Sequence, residues 1–158
     1  MLSSDDFLSV VRLAPLVAID LIVTDPRGAV LLGCRRNRPA QGSWFVPGGR
    51  IRKGETLDDA FRRIVRDELG DTMGGPACIS ARRADAVLLG VYEHFYDDNF
   101  AGAAGIGTHY VVFGYRMTAG SVTLPRQEAQ HSAYRWMLPA ELLADDTVHA
   151  NTKAYFAG

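Results

Sequence analysis

Apolar and polar positions change rhythm several times along this chain, and each change marks an element. Leu16 to Thr24 is a β-rich apolar run interrupted by one charge, Asp20. Asp25-Pro26-Arg27-Gly28 then reads as a turn and Ala29 to Gly33 as a returning strand, so a hairpin is predicted. Trp44 to Val46 is a short strand. From Leu57 the spacing lengthens to threes and fours: Leu57, Ala60, Phe61, Ile64 and Val65 form one helical stripe. Thr56 serves as its N-cap, with Asp59 completing an imperfect capping box, and Gly70 stops it after Leu69. Ala86 to Tyr96 and His109 to Met117 are two long strands on either side of a Gly-rich loop, and Tyr134 to Met137 is a short one. A short amphipathic helix from Asp5/Asp6 to Leu13 ends at Pro15, a C-terminal helix starts at Pro139 to Ala144, and 149–157 adds a last helical turn. Residues 34–41 and 71–84 read as loops. Strands outnumber helices, and the long helix must lie on a sheet face, which predicts an α/β sandwich around a mixed sheet.

Composition narrows the classes. A chain of 158 residues is long enough for one substantial core, so a single domain over 1–158 is expected. Apolar content of 47% with 22% charge belongs to a soluble globular protein. A net charge of -1 gives no overall attraction to nucleic acid or anionic membrane, so anion binding must come from local arginines. Cys34 and Cys78 lack metal-type spacing and are too few for a disulfide framework, which points to reduced thiols and a cytoplasmic protein. Arg12, Pro15 and Asp20 interrupt the apolar N-terminal stretch, so it reads as neither signal peptide nor membrane span.

The chemistry concentrates around the predicted long helix. Trp44-Phe45-Val46-Pro47-Gly48-Gly49 leads into Arg50 to Glu55, then Arg63-Ile64-Val65-Arg66-Asp67-Glu68-Leu69-Gly70. This is the frame of a Nudix box, with two departures. Ile64 stands where the frame expects Glu, and Asp67-Glu68 stands where it expects Glu-Glu. A full box places three carboxylates at i, i+3 and i+4 on one helix face, a cluster that repels itself unless divalent cations neutralise it. Here Glu68 alone has the expected side chain in the expected place. A single octahedral Mg²⁺ needs no more than one or two carboxylates, with phosphate, water and neutral oxygens completing its shell. The bland alternative is a solvated charged helix face with Glu68 as surface charge.

Outside the box, Arg35, Arg36 and Arg38 precede Trp44, and Arg50 and Arg52 follow Gly49. Guanidinium groups on two loops flanking one short strand, the second running on from Gly48-Gly49, make a diphosphate clamp, and Arg35 and Arg50 lie nearest the strand ends. His94 to Phe100 mixes aromatics and carboxylates at a strand end, suited to packing on a sugar or base, with His109-Tyr110 opening the next strand nearby. Gln130-His131 sits beside a loop, where a neutral imidazole accepts a proton and an amide oxygen suits a hard cation.

With these residues in view, the chain resembles the GDP-mannose mannosyl hydrolase family of Nudix enzymes over nearly its whole length. Asn37 to Gly42, Trp44 to Arg50, His94 to Phe100, Thr108 to Val112, Tyr134-Arg135-Trp136 and Val148-His149-Ala150-Asn151 carry the likeness. That family also lacks the Glu after the box Arg. The resemblance implies an α/β/α sandwich with a mixed sheet. It implies Mg²⁺-dependent hydrolysis, with Mn²⁺ as an alternative ion, of a GDP-sugar to GDP and free sugar, by water attack on the anomeric carbon with inversion. His131 would be the general base. Glu68, Gln130 and the Gly48 carbonyl would hold the metal. Arg35 and Arg50 would stabilise the leaving diphosphate; Asp20, His94 and Tyr110 would position sugar and phosphate. Phe7 would stack on guanine, Arg63 would support the box by pairing with a carboxylate such as Glu55, and the enzyme would be a homodimer. Two rivals remain open: a pyrophosphohydrolase attacking phosphorus in a nucleotide sugar, and a nucleotide-sugar binding module without turnover.

Overall fold

The computed structural model describes residues 1–70, 80–120 and 131–158, from backbone alone at His131 and Ser132. Strand β1 (Leu16–Thr24) is the spine of the sheet, preceded by helix α1 (Ser4–Leu13). Along one edge β1 runs parallel to β6 (Thr108–Thr118), from Leu16 opposite Tyr110 to Thr24 opposite Thr118. Strand β5 (Val87–Tyr96) pairs antiparallel with β6 and ends the sheet on that side. The other edge of β1 is divided. Ala18 to Asp20 pair with β4 (Gly48–Arg50), while Thr24 pairs with β2 (Val30–Arg35). Strand β2 also carries β3 (Trp44–Phe45) and β7 (His131–Met137). The result is a mixed sheet of seven strands among the described residues.

Alternation along β1 assigns each face its role. Ile19, Leu21 and Val23, with Tyr115 and Met117 of β6, pack against Ala60, Phe61, Ile64, Val65 and Leu69 of helix α2 (Leu57–Leu69). The sequence stripe therefore becomes the core side of α2, each fully buried Phe or Ile contributing about 2–3 kcal/mol of burial. Thr56 caps the helix as expected: its Oγ1 accepts from the Asp59 amide at 3.1 Å and donates to Asp59 Oδ2 at 2.8 Å. Gly70 ends it at φ 61°, a conformation glycine adopts without a steric penalty. On the opposite face, Ile22, Val30, Leu32 and Met137 bury Leu142 of α3 (Pro139–Ala144) and Val148, with Tyr155 and Phe156 following α4 (Ala150–Lys153). Helices on both faces make the expected α/β/α sandwich.

Four local expectations change. Strand β2 continues past Gly33 to Arg35, where a register shift keeps it paired with β7. Arg35 is thus a strand residue, not a loop residue. Strand β7 starts at His131 instead of Tyr134, placing the His131 backbone opposite Arg35. Gly48 to Arg50, read as loop, are a strand, because two glycines allow a close approach to β1. Residues 80–84, read as loop, lead into a 3-10 turn (Arg83–Asp85), where Arg83 Nε donates to Asp58 Oδ1 at 2.6 Å.

Candidate active site

The face of β1 away from α2 carries Leu16, Ala18 and Asp20, aligned with Tyr110 and Val112 of β6 and His94 and Tyr96 of β5. These side chains form the wall of a cleft of about 330 Å³. Phe7, Arg35, Arg38, Gly48, Arg50 and Phe100 also line it. One cleft therefore collects Phe7, Asp20, Arg35, Gly48, Arg50, His94 and Tyr110, from six separate elements: α1, β1, β2, β4, β5 and β6. Arg36 and Arg52, the other members of the arginine group, do not line it.

Asp20 stands where β1 meets β4. Gly48 is opposite it in register, and a side chain at Gly48 would collide with Asp20 Oδ1 and lie 2.7 Å from the Ile19 carbonyl oxygen. Only glycine permits this contact. Tyr155 Oη donates to Asp20 Oδ2 at 2.6 Å. Burial pushes the Asp20 carboxyl up to about 7, against the opposing influence of the Tyr155 hydrogen bond and the Arg35 charge. Burial, with a contribution from His149, holds His94 down at about 4, so its imidazole is neutral near pH 7. His94 is 5% exposed, and its Nε2 has no hydrogen-bond partner among the described residues. Burial likewise raises the Tyr110 phenol and takes Tyr96 to about 12.

The arginines rest on aromatic rings. Arg35 Cζ lies 5.4 Å from the centroid of Phe45, and Arg50 Cζ lies 4.1 Å from that of Phe7. Phe7 also stacks on Phe100, with centroids 4.7 Å apart. In this structure Phe7 therefore has Phe100 and Arg50 as ring partners at the place where a base was expected.

The box ties β4 to α2. Arg63 Nε donates to Glu55 Oε1 at 2.5 Å, and Arg63 Nη2 donates to the Arg50 carbonyl at 2.8 Å. Glu55 Oε2 also accepts from the Arg52 amide at 2.8 Å. Bonding to Arg63 holds the Glu55 carboxyl down at about 2. The remaining helix positions divide by face. Ile64 is 1% exposed and belongs to the core, directly beneath Gly49. Asp67 pairs outward with Arg66 at 3.2 Å and Arg63 at 3.6 Å. Glu68 is 5% exposed. No group of three His, Cys, Asp or Glu side chains converges as a metal cluster among the described residues.

Gln130 lies outside the described residues, as does the side chain of His131. Tyr155 was not singled out by the sequence. It lies 135 residues from Asp20, in a C-terminal turn with no spacing signal, and reaches the cleft wall only through the tertiary fold. Cys34 is a free thiol, Cys78 lies outside the described residues, and no described helix is long and apolar enough to cross a membrane.

This architecture, with a loop–helix box tied to a split strand pair, defines a Nudix-type hydrolase. The chain belongs to the Nudix family: the NUDIX domain model matches residues 14–157. It is 38% identical over 136 residues to the low-salt glycan biosynthesis protein Agl8 of Haloferax volcanii, covering 85% of this chain and 78% of that protein. A shorter match, 38% over 58 residues, joins 37% of this chain to 34% of the ADP-ribose pyrophosphatase of Methanocaldococcus jannaschii. Among solved structures, the MutT Nudix hydrolase from Burkholderia pseudomallei superposes with TM-score 0.66 at 26% identity, covering 90% of this chain and 95% of that one. The Nudix domain of Shewanella oneidensis NrtR, complexed with ADP-ribose, superposes with TM-score 0.61 at 20% identity over 98% of this chain and 95% of that one, a likeness of fold.

Nudix hydrolases generally use divalent metal ions such as Mg²⁺. The donor set here fits a single hard cation better than a cluster. It offers one buried glutamate on α2 and the backbone oxygen of Gly48, at a position that tolerates no side chain. In the antiparallel pair of β1 and β4, the bonds from Leu21 to Pro47 and from Ile51 to Val17 set the alternation. They leave the Gly48 carbonyl on the same edge as the Arg50 carbonyl that accepts Arg63.

Proposed function

We propose that this chain hydrolyses a GDP-sugar, GDP-mannose or GDP-glucose, to GDP and free sugar by direct attack of water on the anomeric carbon, with inversion. The observation that carries this reading is the division between box and cleft. The box position that would supply a further metal carboxylate is Ile64, in the core, while the opposite sheet face gathers three arginines, a carboxylate, a neutral imidazole and two phenols in one cleft. A site poor in metal carboxylates but rich in leaving-group and hydroxyl contacts suits departure of a whole nucleoside diphosphate. The Haloferax relative is named for glycan biosynthesis, a setting in which activated sugars are reactants, and this supports a sugar nucleotide as substrate.

Glu68, the Gly48 carbonyl and Gln130 would hold Mg²⁺, with Mn²⁺ as an alternative. When bound, the ion neutralises the diphosphate and makes it a better leaving group. Arg35 and Arg50 hold the diphosphate oxygens by forked hydrogen bonds. Asp20, His94 and Tyr110 orient the sugar on the sheet wall. His131, whose backbone opens β7 opposite Arg35, takes the proton from the attacking water on the sugar face away from GDP. No general acid is required, because GDP leaves as an anion. Guanine would stack on Phe7 in the place that Arg50 holds against that ring in this structure, with Arg50 turning to the diphosphate.

The partner beyond substrate is a second copy of the chain. Strand β5 ends the sheet, with Val87, Leu88, Val91 and Phe95 each about half exposed or more, a surface suited to homodimer contact. Light scattering tests this: a dimer mass is expected, and a monomer at micromolar concentration contradicts it.

Incubation with GDP-mannose and GDP-glucose plus Mg²⁺, read by phosphorus and proton NMR, tests the activity. GDP and free sugar are expected. GMP and sugar phosphate would establish the pyrophosphohydrolase alternative, and binding without products would establish the non-catalytic one.

A further inference from the structure

We propose that Tyr155 is a positioning residue for the sugar half of the site: its hydroxyl fixes one oxygen of the Asp20 carboxyl so that the other is presented to a hydroxyl of the bound sugar. The assignment rests on the GDP-sugar reading above and names a residue outside its contact set. Tyr155 does not line the cleft; it acts from behind the wall, on α4's C-terminal side. Its hydroxyl lies 2.6 Å from Asp20 Oδ2, while Oδ1 is the oxygen facing Gly48.

The ring that carries this hydroxyl is itself held. Tyr92 meets it edge-on at 4.6 Å. Gly114 is opposite Asp20 on β6, and a Cβ there would lie 2.8 Å from Tyr155 Cε1. The missing side chain at Gly114 therefore gives the tyrosine ring its place against β6. A carboxylate torsion is broad and two-fold when unrestrained. One short hydrogen bond from a fixed ring removes that freedom before substrate arrives, which is the form of preorganisation that lowers the cost of orienting a ligand. The same wall carries His94, whose ring centroid is 6.1 Å from that of Tyr155 and whose buried Nε2 has no partner among the described residues. An acceptor oxygen and a ring nitrogen on one wall suit neighbouring hydroxyls of a hexose, while Arg35 and Arg50 serve the diphosphate.

A double-mutant cycle separates this from a general packing role. Wild type, Tyr155→Phe, Asp20→Ala and the double variant are compared in kcat/KM for GDP-mannose and in affinity for GDP, which lacks the sugar. Tyr155→Phe keeps the ring and removes one oxygen. It is expected to lower kcat/KM about 10-fold, the scale of a lost hydrogen bond to a charged group, while leaving GDP affinity within about two-fold. In the Asp20→Ala background it is expected to cost nothing more. A parallel loss of GDP affinity, or an equal cost of Tyr155→Phe with and without Asp20, overturns the assignment alone. Absence of turnover by the wild-type chain on both GDP-mannose and GDP-glucose overturns the functional reading, and the sugar assignment with it.

Discussion

The two faces of β1 solve opposite problems with alternate residues of one strand. Ile19, Leu21 and Val23 are fully buried against α2. Leu16, Ala18 and Asp20 look the other way, into the cleft. The α2 face is apolar; the cleft face keeps a carboxyl raised by burial and an imidazole held neutral. Ile64 belongs to the core, and on the proposed reading the substrate contacts fall to the other sheet face, reached through β4.

The comparison is broken most severely by removing the groups proposed for chemistry. His131→Ala is expected to lower kcat about 10²–10⁴-fold, the range for a lost general base. The acidic limb of the pH–rate profile should disappear with it, because protonation of that imidazole is what switches the base off. An unchanged profile would transfer the base role to Asp20 or His94. Glu68→Gln keeps the shape of the residue and removes its charge; a loss of about 10²-fold in kcat is expected at saturating Mg²⁺. Near-normal turnover there would remove Glu68 from the metal site.

Restoring the box tests the core face directly. Ile64→Glu would place a carboxylate beneath Gly49 in the cluster around Phe61 and Leu21. It should cost about 3–4 kcal/mol in urea unfolding and leave kcat no higher. A rise in kcat with GDP-mannose would show that the site prefers more than one metal.

The Glu55–Arg63 pair offers a finer test. Glu55 moves from 4.5 in the unfolded chain to about 2 in the folded one. A folded value below the unfolded one means that the contribution is complete above pH 4.5 and is lost as pH falls toward 2. Glu55→Gln should therefore lower stability at pH 7, by about 1 kcal/mol once solvent screening of the pair is allowed for. It should also flatten the decline of stability between pH 4.5 and 2, measured by urea unfolding across that range. An unaltered pH dependence would mean that the pair does not hold the box.

Much of this was legible in the sequence because it is local. Thr56, the stripe through Val65, and Gly70 define α2, a helix of 13 residues between its two caps, and helix periodicity needs no tertiary partner. The apolar run of β1 was equally readable, with Asp20 as its one charged interruption. What the sequence hid depends on pairing. Gly48 to Arg50 looked like loop because a glycine pair signals a turn as readily as a close strand contact. Arg35 became a strand residue only through the shifted pairing with His131. Tyr155 has no neighbour in sequence that points to Asp20. The family resemblance supplied residues that spacing could not, and the fold brings three of them, Phe7, Asp20 and Gly48, into one cleft with Arg35, Arg50, His94 and Tyr110.

The bond that breaks is the central claim, and solvent oxygen reports it. Hydrolysis of α-linked GDP-mannose in ¹⁸O-labelled water should give unlabelled GDP and labelled mannose, released first as the β-anomer, because direct attack at carbon inverts the centre. Label in any phosphate product, or α-mannose appearing first, would contradict the account and leave attack on phosphorus or a retaining route in its place.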